Sequence, residues 1–340
     1  MIILAGDIGG TKTLMQIASL TANSHDVICE ESYVSDRHKE FSDVVSLFLG
    51  KYSARAQRIN AACFGVAGPI KAEANSQNVQ VTNLPWRLDT AQLADLTHIP
   101  CIYLINDFQA VGYGIDTLGP ADLVTLQAGQ SRMNAPRIVL GAGTGLGVAQ
   151  LIWQHDHYSV LATEGGHIDF APVSAEQSGL LDFLSRRFNH VSYERLLSGP
   201  GLVNIYEYLC STGIAVENKV LRQVMAQSDA AAAITEFACK KKDALANQAL
   251  DLFVSIYGAM AGNLALINLA FGGVYVAGGI APRIIERLRT GDFIRAFNHK
   301  GRMSPLLHDM PVHVVMNPKV GLQGATRAAY YFVSAANIQV

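Results

Sequence analysis

The pattern that most constrains this fold occurs twice: an apolar strand, a glycine turn and a second apolar segment. The first copy, at residues 2–11, reads IILAGDIGGT, and the second, at residues 138–145, reads IVLGAGTG. A strand that enters and leaves a glycine turn is typical of a β-hairpin. At 340 residues the chain exceeds the size at which one hydrophobic core usually stops growing. We therefore expect two similar lobes that face each other across a cleft.

The segments around the first copy alternate between strand-like and helical patterns, which is typical of an α/β lobe. Apolar runs predict strands at residues 2–5, 14–20, 61–66 and 101–105, and helical spacing predicts helices at residues 41–52 and 90–96. The polar segment 75–83 is rich in Asn and Gln and predicts a hairpin or loop. A mixed sheet is the expected result.

One long stretch without charge, from Asp251 to Arg283, raises the question of a membrane span. It divides into a helical pattern over residues 253–267 and, after two glycines, a strand at 274–276. We interpret the first part as a buried helix of a soluble lobe. A further helix is predicted at 283–289.

Composition narrows the classes of function. The 26 basic and 28 acidic residues give a net charge of -2, without the basic excess that nucleic-acid binding needs. The five cysteines are scattered and form no C-x-x-C pair, so we expect reduced, mostly buried thiols and neither disulfides nor a zinc site. The N-terminus begins in a predicted strand and lacks a signal-peptide pattern. A cytoplasmic location is the expectation.

Glycine turns after buried strands can hold phosphate groups, because backbone N–H groups approach the oxygens directly. A third such turn, Gly278-Gly279, follows the predicted strand at 274–276. Each turn alone is equally explained as a tight hairpin. A P-loop is disfavoured because Thr11 stands where its second glycine belongs. The dinucleotide fingerprint is incomplete, because Leu146 stands where it requires its last glycine.

Two carboxylates stand at the ends of predicted strands. Asp7 lies in the first glycine turn, where it suits a phosphate chain that carries Mg²⁺ through its water shell; the alternative is that it caps the turn. Asp107 follows Asn106 directly after the strand at 101–105, where open α/β folds place ligands. It is a candidate general base, with a helix N-cap as the alternative.

A second polar set lies further along the chain. Glu164 and His167 have the E-x-x-H spacing of helical metal sites, but the two glycines between them disfavour a helix. A carboxylate and an imidazole on a turn can instead hold vicinal sugar hydroxyls. Asp169 either orients His167 or faces solvent, and Glu194 has the spacing of an exposed helical residue.

Several motifs occur in an order that closely resembles the bacterial glucokinase family, within the actin, Hsp70 and sugar kinase superfamily. They are GDIGGT at 6–11, INDF at 105–108, GAGTGLG at 141–147, EGGHIDFAP at 164–172, LSGPG at 197–201, FGGVYVAGGI at 271–280 and GLQG at 321–324. The resemblance covers nearly the whole chain. The cysteine-rich zinc motif of the related repressor and kinase family is absent.

The resemblance implies an α/β protein with the two-lobed, actin-like ATPase (ribonuclease H-like) fold, with mixed sheets and an interlobe cleft. It implies a small domain of residues 1–110 plus 320–340, a large domain of residues 111–319, and a homodimer. The implied activity is transfer of the ATP γ-phosphoryl group to the 6-hydroxyl of glucose. The alternatives are a kinase of another hexose and a non-catalytic sugar-sensing regulator on the same fold.

The resemblance also assigns residues. Asp107 becomes the catalytic base, and glucose is held by Asn106, Asp107, Glu164, His167 and Glu194. The nucleotide is held by the turn residues Gly6, Asp7, Ile8, Gly9, Gly10, Thr11, Gly143, Thr144, Gly145, Gly278 and Gly279. ATP and Mg²⁺ are the implied cofactors, with the ion arriving on ATP. Lys12, where relatives often have Asn, either adds a phosphate contact or faces solvent.

Overall fold

The protein is described here by a computed structural model, which covers residues 1–21, 24–52, 59–74 and 76–336. Its contacts divide the chain into two compact units. The first contains Met1–Pro120, Tyr158–Ala162 and Asn317–Val340, and the second contains Ala121–His157 and Thr163–Met316. The domain boundaries at residues 110 and 319 stay a prediction.

The secondary structure alternates strands with helices along the described residues. The strands are β1 Ile2–Ile8, β2 Lys12–Leu20, β3 His25–Val34, β4 Ala61–Val66, β5 Lys71–Ala72, β6 Gln77–Gln80, β7 Arg87–Asp89, β8 Ile102–Asn106, β9 Leu123–Gln127, β10 Arg137–Ala142, β11 Leu146–Gln154, β12 His157–Thr163, β13 Gly273–Ala277 and β14 Val312–Val315. The α-helices are α1 Phe41–Lys51, α2 Thr90–Thr97, α3 Asp107–Gly114, α4 Ala175–Ser185, α5 Gly199–Thr212, α6 Lys219–Gln227, α7 Ala230–Cys239, α8 Ala244–Asn268, α9 Ile285–Arg289, α10 Asp292–Asn298, α11 Ser304–His308 and α12 Val320–Ala336.

A five-stranded sheet with the order β3-β2-β1-β4-β8 forms the centre of the first unit. The glycine hairpin pairs β1 with β2 in antiparallel register, whereas β1, β4 and β8 run parallel. Every residue of β4 is buried, as expected for a parallel strand covered on both faces. The mixed sheet predicted from the sequence is confirmed.

The polar segment 75–83 contributes a strand rather than only a loop. β6 pairs with β5 and β7 in a separate three-stranded antiparallel sheet. Asn75 lies outside the described residues. Leu88 and Val79 pair across this sheet and are buried, which explains why so polar a segment becomes ordered.

The C-terminal helix α12 packs against α3 almost backbone to backbone. A Cβ atom placed on Gly324 would lie 1.7 Å from the Ala110 carbonyl oxygen, and one on Gly114 would lie 2.1 Å from that of Val320. Such distances leave no room for any side chain. Two glycines therefore fix how closely α12 approaches the helix that begins at Asp107.

The six-stranded sheet has the order β12-β11-β10-β13-β14-β9. Its glycine hairpin β10–β11 is the second copy of the repeated pattern, with Ala142 opposite Leu146. β13 runs parallel to both β10 and β14, and β9 closes the far edge in antiparallel register. The two hairpins thus occupy equivalent positions beside a parallel strand in their own sheets.

The long uncharged segment forms α8 and β13, in agreement with the sequence. In the described part of the chain, α8 is the one helix long and apolar enough to cross a membrane. Of its most apolar 18-residue window, 72% is buried inside the structure, which favours a core helix. Phe253, Tyr257 and Met260 are completely buried in the core of the second unit.

The five cysteines are free thiols. Only Cys29 and Cys63 are buried, Cys101 and Cys210 are partly exposed, and Cys239 is exposed. The expectation that most of them are buried is wrong. Cys239 is the last residue of α7, where the chain leaves the core.

Candidate active site

Two hydrogen bonds from Ser35 hold the first glycine turn in place. Ser35 Oγ donates a hydrogen bond to the Gly9 carbonyl oxygen at 2.8 Å, and the Ser35 amide donates to the Thr11 carbonyl oxygen at 3.0 Å. The Gly9 amide itself donates to the Lys12 carbonyl oxygen at 3.1 Å. Within the described residues, the Gly10 and Thr11 amides have no protein acceptor. These two N–H groups can bind an anion.

Asp7 is the last residue but one of β1, directly before this turn. Burial of its carboxyl, and next the negative charge of Asp107, raise the pKa of Asp7 to about 6. No described residue donates a hydrogen bond to that carboxyl, so the alternative that Asp7 caps the turn is not supported. Lys12 is exposed at the start of β2.

Asp107 is the first residue of α3, directly after β8. The helix cap is Asn106, whose Oδ1 accepts hydrogen bonds from the amides of Phe108 at 2.9 Å and Gln109 at 3.2 Å. Asp107 Oδ1 accepts a further bond from the Phe108 amide at 2.9 Å. The alternative that Asp107 is the N-cap is wrong, because the preceding Asn106 fills that position.

Gly65 places these groups close together and was not identified from the sequence. It lies in β4, opposite Asp7 of β1 on one side and Ile105 of β8 on the other. A Cβ atom here would lie 2.9 Å from the Ala110 Cβ atom and 4.0 Å from the Asp107 Cα atom. Because glycine has no side chain, the start of α3 can pack closely over the end of β4. This close approach places the carboxylates of Asp7 and Asp107 near each other.

In the second unit, a single turn of 3₁₀-helix, Gly165–His167, begins directly after Glu164 and ends with His167. The His167 Nε2 atom lies 3.9 Å from Glu164 Oε2, and its Nδ1 atom lies 4.0 Å from Glu194 Oε1. Among the described residues, no group of three or more His, Cys, Asp or Glu side chains is arranged to hold a metal ion. The three side chains form a polar cluster suited to hydroxyl groups.

Glu194 is not the exposed helical residue that its spacing suggested. It lies in a 3₁₀ turn, Tyr193–Arg195, and its side chain is 29% exposed, against 74% for Glu164. Its Oε2 atom accepts a hydrogen bond from the Leu146 amide at 2.9 Å. One carboxylate oxygen is thus bound to the second glycine hairpin, and the other lies near His167.

Backbone pairing between two distant segments brings His167 and Glu194 together. The Tyr193 amide donates to the Ile168 carbonyl oxygen at 3.0 Å, and the Phe170 amide donates to that of Val191 at 2.9 Å. Asp169 does not orient His167. Its Oδ1 atom lies 2.6 Å from Nε2 of His190 instead.

The second glycine turn, Gly143 to Gly145, lies against the start of α5. The Gly199 amide donates to the Gly143 carbonyl oxygen at 2.8 Å, and Ser198 caps α5 by accepting from the Gly201 amide at 3.0 Å. Thr144 is exposed at the tip of the turn. No role is predicted from the sequence for this helix start, although a serine followed by Gly-Pro-Gly signals an N-terminus.

The third turn lies beside the second. Gly278 has a φ of +81°, and a Cβ atom there would lie 2.5 Å from the Ala142 carbonyl oxygen. The Ile280 amide donates to that same oxygen at 3.2 Å, while the Ala142 amide donates to the buried Tyr257 hydroxyl at 3.0 Å. Gly279 is exposed, with open space around it. Two predicted phosphate turns are therefore joined into one surface.

Substituting Gly145 by alanine should disturb this cluster, because the new Cβ atom would lie 2.5 Å from Glu194 Oε2. Displacing Glu194 breaks its bond to Leu146 and moves its other oxygen away from His167. We expect kcat/KM to fall about 10- to 100-fold, the usual cost of a lost hydrogen bond to a charged group. Gly143→Ala is the matched control for space, since no atom lies within 4 Å of its Cβ position. Equal loss in both variants would contradict this explanation.

Solved structures with the same fold define the class of protein. A crystal structure of glucokinase from an Antarctic psychrotroph superposes with a TM-score of 0.84 at 30% identity, over 97% of this chain and 99% of the other. A ROK family glucokinase from Streptomyces griseus, in complex with glucose and AMPPNP, shares the fold with a TM-score of 0.62 at 18% identity, over 97% and 100%. The chain has the actin-like α/β fold of the sugar kinases.

Sequence comparison identifies the family. The glucokinase of Trichormus variabilis is 43% identical over 343 residues, covering 96% of this chain and 98% of the relative. That of Yersinia pestis is 36% identical over 322 residues, covering 95% and 94%. The glucokinase family profile matches residues 4–331. The chain belongs to the glucokinase family, a family of ATP-dependent sugar kinases, and the family and fold predicted from the motifs are confirmed.

Proposed function

We propose that this protein transfers the γ-phosphoryl group of ATP to the 6-hydroxyl of glucose, with Asp107 as the general base. The observation that supports this role is the N-cap of α3. Asn106 caps the helix, so Asp107 is not needed as the cap. As the oxygen of the 6-hydroxyl bonds to the γ-phosphorus, Asp107 accepts the proton of that hydroxyl. The bond from that phosphorus to the leaving ADP oxygen breaks, giving glucose 6-phosphate and ADP.

Glucose is held through its other hydroxyls. Glu164 and Glu194 accept hydrogen bonds from the sugar, and His167 donates one. The side-chain amide of Asn106 donates another, close to the base Asp107. The Leu146 amide fixes Glu194, so this carboxylate is oriented before the sugar binds. Orientation in advance lowers the entropic cost of placing the substrate.

The phosphates of ATP are held by the glycine turns. The Gly10 and Thr11 amides of the first hairpin, with the Thr144 and Gly145 amides of the second, supply donors to the charge that develops on the transferred group. The Gly143 amide instead donates to the Gly145 carbonyl oxygen at 2.8 Å. The turn at Gly278 and Gly279 lies under the nucleotide. Ser35 holds the first turn by its hydrogen bond to the Gly9 carbonyl oxygen.

Asp7 fits a magnesium ion that arrives with ATP. Its carboxyl lies beside that of Asp107, its pKa is raised, and no described residue donates a hydrogen bond to it. A nearby cation would offset this repulsion. Asp7 would hold Mg²⁺ through the ion's water shell, and the ion would neutralise phosphate charge.

Location and assembly belong to the same proposal: a homodimer in the cytoplasm. Five free thiols suit a reducing compartment. The dimer rests on the family resemblance stated above. Sedimentation velocity of the purified protein should give twice the 36.6 kDa of one chain; a species with the mass of one chain would overturn the dimer.

A hexose panel tests the substrate. ADP release should require a sugar, and kcat/KM for glucose should exceed that for mannose and fructose by at least about tenfold, because unpaired polar groups penalise a misplaced hydroxyl. NMR of the product should locate the phosphate on carbon 6. Equal ADP release without sugar would show an ATPase, and preference for fructose would show a kinase of another hexose.

A further inference from the structure

A polar cavity in the first unit shares no residue with the predicted sugar and phosphate sites. Its volume is about 270 Å³, and its lining consists of Ser24, His25, Val27, Thr117, Gln323 and Arg327. Five of these six side chains can donate a hydrogen bond, and none is a carboxylate. The neighbouring acids Asp26 and Asp116 are not part of the lining. This composition is typical of an anion site.

Arg327 supplies the positive charge. Its Nε atom is buried and has no hydrogen-bond partner in the described part of the chain. Because Nε is inaccessible, a ligand in the cavity would accept from the terminal NH₂ groups of the guanidinium, which are charge-assisted donors. The Arg327 guanidinium carbon lies 5.6 Å from the centre of the Tyr331 ring, within the range of a cation–π contact.

His25 also lines the cavity, and its imidazole is uncharged near neutral pH. Burial, and next the charge of Arg327, lower the pKa of His25, while Asp26 opposes them. His25 Nε2 lies 3.2 Å from Gln16 Oε1, which also accepts from Thr326 at 3.3 Å. Because the Gln16 amide donates to Glu30 at 3.2 Å, its oxygen is the acceptor and His25 Nε2 carries a proton.

Gln323 presents a donor to the cavity. Its Oε1 atom accepts from Thr117 Oγ1 at 3.1 Å and from Asn317 Nδ2 at 3.3 Å. The side-chain NH₂ group is therefore the part of Gln323 that can bind a ligand. Thr117 ends the turn that follows α3, and Gln323 and Arg327 lie one helical turn apart on α12.

We propose that this cavity binds the phosphate group of a small phosphorylated metabolite. A phosphomonoester offers three oxygens to the Arg327 fork, the Gln323 amide and the Ser24 hydroxyl. Val27 gives one apolar wall for the carbon portion, and 270 Å³ exceeds the space that one phosphate group fills. The site is separate from the turns that hold ATP.

The test is calorimetric titration with glycerol 3-phosphate and, separately, inorganic phosphate. Glucose and AMPPNP are kept saturating so that the catalytic turns are occupied, and ionic strength is held constant. The wild-type protein should bind glycerol 3-phosphate saturably and at least as tightly as inorganic phosphate. Arg327→Gln should weaken both by about tenfold or more, since a charge-assisted hydrogen bond is removed.

Two further variants make the result decisive. Gln323→Glu keeps the acceptor for Thr117 and Asn317 but adds a negative charge, so it should weaken binding without a loss of folding. Arg302→Gln removes an exposed arginine outside the cavity and should change nothing. No saturable binding, tighter binding of inorganic phosphate than of the ester, or equal binding in wild type and both cavity variants would overturn the proposal.

Discussion

Replacing Asp107 with asparagine is expected to lower kcat about 10²- to 10⁴-fold, the usual range for a positioned general base. Asparagine keeps the shape and can still meet the 6-hydroxyl, but it cannot accept its proton. Glucose affinity should therefore change far less than kcat, which marks an interaction needed mainly in the transition state. Initial rates at saturating glucose and ATP give kcat, and calorimetry gives the glucose dissociation constant.

The cap geometry supplies the control. Asn106→Asp preserves helix capping, because the two residues rank together as N-caps. It also preserves Asp107, so it should keep most of kcat while altering the sugar contact. Near-normal turnover in a folded Asp107→Asn protein would remove Asp107 as the base and leave catalysis to positioning alone.

Asp7→Asn is expected to stabilise the ligand-free protein while it lowers kcat about 10²- to 10³-fold, since a group that places phosphate charge is lost. The stability change follows from a pKa raised from 3.8 to about 6. A proton binds the folded state more tightly than the unfolded state, so the stability that Asp7 contributes is fully present below about pH 4 and is lost as pH rises through about 6. Asparagine removes that loss, a gain of as much as about 3 kcal/mol above pH 7.

Thermal unfolding between pH 4 and pH 8 measures this dependence, with turnover measured in parallel. The difference between variant and wild type should be near zero at pH 4 and should grow through pH 6. Asp95→Asn, an exposed site on α2, is the matched control and should alter neither quantity. If Asp7 only supported the turn, its asparagine variant would lose stability at every pH, and this result would refute the assignment.

The local elements were predictable because their signals are local. The strand at 61–66 matches β4, and the helices predicted at 41–52 and 90–96 match α1 and α2 to within one residue. The predicted ends of strands at glycines were less accurate, since β1 continues to Ile8. Gly6 extends the strand because it packs under the Phe64 ring, where a Cβ atom would lie 2.8 Å from a ring carbon. The extension of β1 depends on packing against the neighbouring strand, and the local sequence does not specify that packing.

The sequence by itself determined the repeated hairpin, the glycine turns and the family, because each depends on residues adjacent in the chain or on motifs in a fixed order. Only the tertiary structure decided which groups Glu194 and Arg327 interact with. Glu194 accepts a hydrogen bond from the Leu146 amide, 48 residues away, and the charge of Arg327 acts on His25, which lies on a distant strand. Side chains act on whatever the fold brings within a few ångströms, since hydrogen bonds and charge interactions weaken steeply with distance. A sequence specifies those neighbours only through the complete fold.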